Sequence, residues 1–263
     1  MWPDSKLAAR IEGEYVPIKL MDETAMDIAK AYDVQVVPTF VIAKTDGELL
    51  LKQVGPPFSK PTEAVIWFDA IAPRLKTADE AEAAAKARPG EFAAQLALFR
   101  ACNDLGRTAR AEEAMLAAEK LAGDSEDNKL EIDVARLTVL ASKQKMGEAA
   151  PVADRVAAAL LKKKDKRLVE LGLLICDVYS FIDRKDEPRT FIKQVNELFP
   201  DNPNRIQYNV RAAFALMQGG DKQGALKEFE AIIAAGPADD IWVNYATEAR
   251  DHVKKSLESP GGG

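Results

Sequence analysis

The chain has very few of the residue types that carry metal binding and thiol chemistry. Its 263 residues include one histidine, His252, and two cysteines, Cys102 and Cys176. A structural zinc site takes four ligands, mostly cysteine and histidine, so we expect no metal site of this kind. The two cysteines lie 74 residues apart in helical patterns. This favours two buried free thiols over a disulfide or a redox pair, because free cysteine packs as a small apolar side chain.

Other signatures of catalysis, membrane insertion and nucleic-acid binding are also missing. The sequence has no glycine-rich phosphate loop, no nucleophile elbow and no carboxylate pair suited to acid–base chemistry. We therefore expect no catalytic residue and no cofactor. There is no run of about 18 apolar residues, so we expect no membrane span. The net charge of −6 gives no reason to expect a nucleic-acid partner.

The N-terminus lacks the features of a secretory signal. Residues 1–4 contain neither a basic segment nor the start of an apolar segment. We expect this form to be cytoplasmic, and periplasmic if a signal was removed together with an upstream segment.

Residues 1–76 alternate between helix and strand signals. A short helix is expected first, followed by a strand at residues 15–20 and a second helix to about Tyr32. Residues 36–43 form a β-branched run, Asp46-Gly47 predicts a hairpin turn, and residues 48–54 form the returning strand. A last helix is expected to end near Pro73, because proline removes a helical hydrogen bond.

Val37, Pro38 and Thr39 stand between the second helix and this hairpin. With that order of elements, the segment resembles the C-terminal two-thirds of a thioredoxin-like domain. The resemblance implies that these three residues form the family's cis-proline loop, which accepts an extended substrate backbone. A simpler alternative is that Pro38 only makes a rigid turn.

The start of the chain both supports and limits this resemblance. Trp2, Asp4 and Leu7 match a W-x-D-x-x-(V/L) helix that follows the Cys-x-x-Cys helix in bacterial variants of the family. No Cys-x-x-Cys precedes Pro38, and no residues supply the strand that lies mid-sheet in the family. Three interpretations follow: a shortened form of a longer protein, a sheet that closes with fewer strands, or a missing strand donated by another chain. The last includes a homodimer through the unpaired sheet edge.

From residue 77 onward the pattern is alanine-rich, with helical periodicity and no strand signal. Short turns around Gly106, Gly147 and Gly220 indicate antiparallel helix pairs. The predicted helices span residues 77–88, 91–105, 108–122, 127–145, 148–163, 166–183, 187–199, 204–218, 222–235 and 239–257.

These helix pairs repeat. The last unit has a small residue, a turn glycine, an alanine, an aromatic residue and a proline at the positions Ala213, Gly220, Ala225, Phe229 and Pro237. This pattern resembles a tetratricopeptide (TPR) repeat, and three more degenerate units precede it. We therefore predict an α/β plus all-α protein. An incomplete thioredoxin-like module occupies residues 1–76, and a TPR-like α-solenoid occupies residues 77–263.

The resemblance to TPR arrays implies an inner groove lined mainly by the first helix of each pair. In the last repeat the groove residues would be Gln207, Val210, Arg211, Phe214 and Met217. Alternatively, Phe214 and Met217 are core or end-cap contacts. Trp242 and Tyr245 open the final helix and are expected to seal the end of the array; the alternative is an exposed aromatic pair that binds a partner.

The whole layout resembles bacterial chaperone-like holdases that join a thioredoxin domain with degenerate cysteines to TPR repeats. We expect a non-catalytic protein-interaction module, a scaffold or adaptor, whose partners are other proteins or unfolded clients. The competing hypothesis is a thiol–disulfide oxidoreductase whose Cys-x-x-Cys lies upstream of Met1.

Overall fold

The computed structural model describes residues 5–16, 18, 24–55, 61–182, 184 and 187–258. Within them the chain is mostly helical, with twelve helices and one two-stranded antiparallel sheet. The coarse class is therefore mixed α/β plus helical. None of the helices in these ranges is long and apolar enough to cross a membrane.

The chain divides into two compact units, residues 1–128 and 129–263. The first unit contains five helices and both strands of the described part, in the order α1 (Ser5–Glu14), α2 (Thr24–Ala31), β1 (Thr39–Ala43), β2 (Leu49–Val54), α3 (Pro61–Ala87), α4 (Phe92–Asp104) and α5 (Thr108–Leu121). Helix α6 (Glu126–Ser142) begins at the end of this unit. The unit thus includes the first predicted helix pair as well as the segment predicted to be thioredoxin-like.

The predicted hairpin is confirmed. Strands β1 and β2 pair antiparallel, from Thr39 opposite Val54 to Ala43 opposite Leu49. The turn between them contains Gly47 at φ +90°, a conformation that glycine adopts without strain. The amide of Lys44 donates to the carbonyl oxygen of Glu48 and closes the hairpin.

Lys52 fastens helix α2 to this hairpin. Its ammonium group lies 3.1 Å from the carbonyl oxygen of Asp33 and 3.4 Å from that of Tyr32, just past the end of α2. A cation suits a helix C-terminus, where the carbonyl groups lack partners within the helix. The Tyr32 hydroxyl also donates to the carbonyl oxygen of Gly47 at 3.0 Å. These contacts hold α2 against the turn end of the sheet.

The outer edge of β2 is covered by the turn between α4 and α5. The amide of Lys52 donates to the carbonyl oxygen of Leu105 at 2.8 Å. The guanidinium Nε of Arg107 donates to the carbonyl oxygen of Leu50 at 3.0 Å. Gly106 lies between these residues at φ +66°. The helix pair α4–α5 and the hairpin therefore form one packed body.

The predicted helix end near Pro73 is wrong. Helix α3 continues through Pro73 to Ala87. Buried residues lie on both sides of the proline, with Ile71 before it and Ala78 after it. Packing against α4 offsets the hydrogen bond that proline removes, a loss on the order of 3 kcal/mol. The salt bridge from Arg74 to Asp104, with Nε and Oδ2 2.6 Å apart, lies next to the proline.

Part of the predicted N-terminal structure falls outside the described residues. Trp2 and Asp4 lie outside them, and Leu7 is buried in α1. Of the predicted strand at residues 15–20, only Tyr15, Val16 and Ile18 are described, and none of these three is in a strand.

The second unit consists of helices packed in chain order. After α6 come α7 (Met146–Lys163), α8 (Leu168–Phe181), α9 (Glu187–Leu198), α10 (Arg205–Gln218), α11 (Lys222–Ala235) and α12 (Ile241–Glu258). From α7 onward each helix packs against the next, and α10 also contacts α8 and α12. These bounds lie within a few residues of the predicted ones. The assignment of these helices to a TPR-like array stays a prediction.

Two apolar clusters stabilise the second unit. One joins α6 to α9 and includes Tyr208 at the start of α10. The other joins α10, α11 and α12 around Phe229, which is fully buried. Tyr208 seals the first cluster, because its hydroxyl donates to the carbonyl oxygen of Leu168 at 2.7 Å.

Candidate binding groove

An open groove of about 300 Å³ lies between α10 and α12 in the second unit. Helix α10 contributes Phe214 and Met217, which are three residues apart. Helix α12 contributes four residues at helical spacing. They are Tyr245, Glu248, Ala249 and His252. Residues at i, i+3, i+4 and i+7 share one face of a helix, so the two helices present matching faces to the groove.

The floor of the groove is aromatic and is held by the core beneath it. The ring of Phe214 packs edge-on against buried Phe229, with centroids 5.2 Å apart. On its other side Phe214 contacts Tyr245 at 6.0 Å, and Tyr245 contacts Trp242 at 6.1 Å. Such aromatic pairs restrict ring orientation beyond what burial alone does. These contacts therefore restrict the orientation of the Phe214 and Tyr245 rings.

Tyr245 remains largely accessible within this arrangement. The residue is 54% exposed, although it contacts two other aromatic residues. Tyrosine combines a large apolar face with a polar hydroxyl and is common at the centres of protein interfaces. Its ring forms one wall of the groove.

The guanidinium group of Arg211 contacts residues beside the groove. Its Nε and Nη2 atoms each lie 2.9 Å from an oxygen of Asp177, in a bidentate pair that joins α10 to α8. The guanidinium also stacks on Trp242, 5.8 Å from the ring centroid. Arg211 therefore positions Trp242 and lies outside the groove lining.

The rim of the groove carries one unpaired carboxylate. Glu248 has no ion-pair partner among the described residues. Two basic residues further along α12 are already paired, since Arg250 contacts Asp251 at 2.7 Å and Lys254 contacts Glu230 at 2.8 Å. His252 lies one turn after Glu248 on the same face. The rim thus carries a carboxylate next to the apolar floor of the groove.

The structure separates the five groove residues predicted from the sequence. Phe214 and Met217 line the groove. Val210 is 1% exposed and belongs to the apolar cluster below, and Gln207 is half-buried outside the lining. The sequence singled out Tyr245 of α12 as an end cap or an exposed aromatic residue, but it did not place any α12 residue in the groove. The signal that could have found them is the spacing of Tyr245, Ala249 and His252 along one helix face.

The loop before β1 is a second place where site residues were predicted. The Val37–Pro38 peptide bond is cis. The carbonyl oxygen of Pro38 accepts from the amide of Gly55 at 2.9 Å, and the hydroxyl of Thr39 donates to the carbonyl oxygen of Val36. Val37 is 85% exposed at the tip. The loop is anchored at both ends and presents an apolar side chain.

Neither cysteine provides a reactive thiolate. Cys102 in α4 and Cys176 in α8 are both free and buried. Burial raises the pKa of Cys102 and raises the pKa of Cys176 to about 12. Thiol–disulfide exchange proceeds through the thiolate, so these thiols are poorly suited to it. Among the described residues, no group of three or more acidic, histidine or cysteine side chains is placed to bind a metal ion.

Comparisons of the chain with protein-family models, curated proteins and solved structures found no match.

Proposed function

We propose that the chain is a non-catalytic protein-binding module whose groove between α10 and α12 captures a segment of a partner protein. The observation that supports it is the open groove with an aromatic lining formed by Phe214 and Tyr245, whose rings contact each other. Aromatic residues of this kind contribute much of the binding energy in protein interfaces. The two cysteines are buried, which favours binding over thiol chemistry as the work of this chain.

The groove fits a particular class of segment. A volume of about 300 Å³ lies at the lower end of ligand sites and suits one large apolar side chain better than a cofactor. The unpaired carboxylate of Glu248 at the rim favours a positively charged neighbour. The proposed occupant is therefore a peptide segment with an aliphatic or aromatic residue next to a lysine or arginine.

Selection from a displayed peptide library tests this proposal with the full-length chain. Wild-type protein should enrich peptides that combine an apolar anchor with an adjacent basic residue. Tyr245→Ala should weaken binding of the selected peptides at least tenfold, since truncating a central aromatic costs more than about 1.4 kcal/mol. Glu248→Lys should weaken the binding of peptides that carry the basic residue. It should weaken less the binding of the same peptides with glutamine in place of that basic residue.

Ile241→Ala is the matched control for these variants. Ile241 is an exposed apolar residue on the same helix, outside the groove lining. It should leave binding unchanged. If the selected peptides bind wild type and Tyr245→Ala equally well, the groove is not the binding site and the proposal fails.

A second candidate, a chaperone-like holdase, is favoured by one feature of the first unit. Three exposed valines lie around β1, namely Val36 and Val37 in the loop before it and Val54 at the end of β2. Exposed apolar surface of this kind can hold unfolded chains. The chain should then suppress the heat-induced aggregation of an unrelated client, and Val37→Ser with Val54→Ser should reduce this effect. Wild-type protein that leaves aggregation unchanged would remove the candidate.

A further inference from the structure

The two edges of the β1–β2 hairpin differ in what satisfies their backbone groups. The Lys52 amide points away from β1, because it donates to Leu105. In an antiparallel ladder such a residue belongs to a non-hydrogen-bonded pair, and here its partner across the ladder is Val41. The bond from the amide of Gly55 to the carbonyl oxygen of Pro38 shows the same alternation of hydrogen-bonded and non-hydrogen-bonded pairs at the open end of the hairpin.

This alternation determines which backbone groups of β1 point away from β2. Phe40 and Ile42 bond to β2, so the N–H and C=O groups of Thr39 and Val41 point to the opposite edge. The amide of Lys44 donates inward to Glu48, which leaves Ala43 facing outward as well. Within the described ranges, these outward backbone groups have no hydrogen-bond partner. Unpaired strand edges of this kind are templates for another strand.

The side chains of strand β1 do little to protect this edge, although the strand is only five residues long. Its sequence, Thr-Phe-Val-Ile-Ala, carries no charge and contains no proline. Natural edge strands are commonly blocked by lysine, proline or an inward-pointing charge. The only irregularity in its pairing with β2 lies between Ile42 and Ala43, at the turn end. Most of the edge therefore offers regular, uncharged backbone to another strand.

We propose that the β1 edge pairs with β1 of a second copy of this chain, antiparallel and with a two-fold axis at Val41. In this register Val41 faces Val41 of the other copy, and Thr39 faces Ala43. All three are hydrogen-bonded pairs, because these are the residues whose backbone groups point outward. The result is a four-stranded sheet in the order β2–β1–β1–β2. This surface is separate from the groove between α10 and α12.

The side chains favour a second copy over a different strand. The outward-facing positions 39, 41 and 43 are evenly spaced about Val41, so this register matches each outward-facing residue with another one, as a two-fold interface requires. Lys44, the nearest charged residue after β1, would face Pro38 of the other copy, so no like charges meet. Pairing along β1 therefore brings together uncharged residues.

Paired charge variants test the register directly. Sedimentation equilibrium of the full-length wild type should give a concentration-dependent dimer. Val41→Lys and Val41→Glu should each be monomeric, because two like charges would lie directly opposite at the axis. Mixing the two variants in equal amounts should restore the dimer, since lysine then faces glutamate. Leu116→Lys, at an exposed apolar position on α5, should remain dimeric.

Amide hydrogen exchange of the wild type tests the same register without any substitution. It therefore still applies if a charge at Val41 prevents folding. The Val41 amide should exchange more slowly as protein concentration rises, while the Ile42 amide, which bonds within the hairpin, should not change. A monomeric wild type, or a dimer with concentration-independent exchange at Val41, would overturn the proposal. A dimer that both single charge variants leave intact would overturn it too.

Discussion

A Cβ atom on Gly106 would collide with the carbonyl oxygen of Lys52. The turn between α4 and α5 therefore meets strand β2 backbone to backbone, and only glycine fits there. The contact joins the hairpin to the helices that follow it.

Gly106→Ala should destabilise the first unit. The alanine would carry the left-handed conformation at a cost of about 1–2 kcal/mol and would also push β2 away from the turn, a further loss of about 1–3 kcal/mol. Gly123→Ala is the control, because Gly123 has a similar φ of +59° but open space around the added Cβ. Urea denaturation followed by circular dichroism measures both. Equal losses for the two variants would show that the Lys52 contact contributes nothing.

Gly172 and Tyr208 should be energetically coupled. A Cβ on Gly172 would collide with the Tyr208 hydroxyl and lie 3.1 Å from Cζ. Glycine to alanine inside a helix usually stabilises by about 1 kcal/mol, but here the collision should make it destabilising. Tyr208→Phe should cost about 1 kcal/mol, because the bond to Leu168 is lost.

The double variant Gly172→Ala/Tyr208→Phe tests that coupling. Removing the hydroxyl removes the closest contact, so the double variant should lose less stability than the sum of the single variants. Free energies of unfolding from urea titration give the comparison. Strict additivity would mean that Tyr208 moves aside freely.

Arg211→Lys should destabilise the second unit by about 1 kcal/mol. Lysine cannot form the bidentate pair with Asp177, and it lacks the planar group that stacks on Trp242. The control is Lys193→Gln, which removes an ion pair with Glu197 whose side chains are 77% and 64% exposed. That variant should change stability by less than about 0.5 kcal/mol. Thermal or urea unfolding that ranks the two variants equally would contradict the role given to Arg211.

Stability should fall at alkaline pH through Cys176. Burial raises its pKa from an ordinary 9.0 to about 12, so the folded state holds its proton while the unfolded chain releases it. The stabilisation is therefore fully present below pH 9 and is lost progressively between pH 9 and 12. At about pH 10.5 this linkage amounts to about 2 kcal/mol.

Urea titrations of wild type and Cys176→Ala at neutral and alkaline pH isolate this contribution. The two proteins differ only at residue 176, so the difference between them belongs to the Cys176 thiol and to its raising effect on the pKa of Tyr179 and Tyr208. The alanine variant should start less stable and lose less between the two pH values. Parallel losses would show that the thiol does not control the alkaline response.

Local signals in the sequence predicted much of the secondary structure. Asp46-Gly47 predicted the hairpin because few other dipeptides adopt its turn without strain. The turn glycines Gly106 and Gly220 marked helix ends for the same reason. Pro73 misled the prediction, because its local effect is opposed by packing of α3 on α4, which involves residues far apart in sequence.

The groove was only partly predictable for a related reason. Helical periodicity identifies an apolar stripe on α10 but does not say which part of it faces a neighbouring helix. Val210 is buried and Phe214 lines the groove, although both belong to the same stripe. The contribution of α12 depends on how that helix packs against α10. Which residues of β1 point their backbone groups to its free edge depends on the alternation of pairs in the ladder. The hydrogen bond of Lys52 to Leu105 reveals that alternation.

That same bond would limit the proposed assembly through β1 to two copies. A hairpin with two open edges could add strands on both sides and grow into a fibre. Here Leu105 and Arg107 already bond to the outer edge of β2, so of the two strands in the described part of the chain β1 alone keeps an unpaired edge. Once two β1 strands pair, both outer edges of the four-stranded sheet are closed, and strand pairing stops at a dimer.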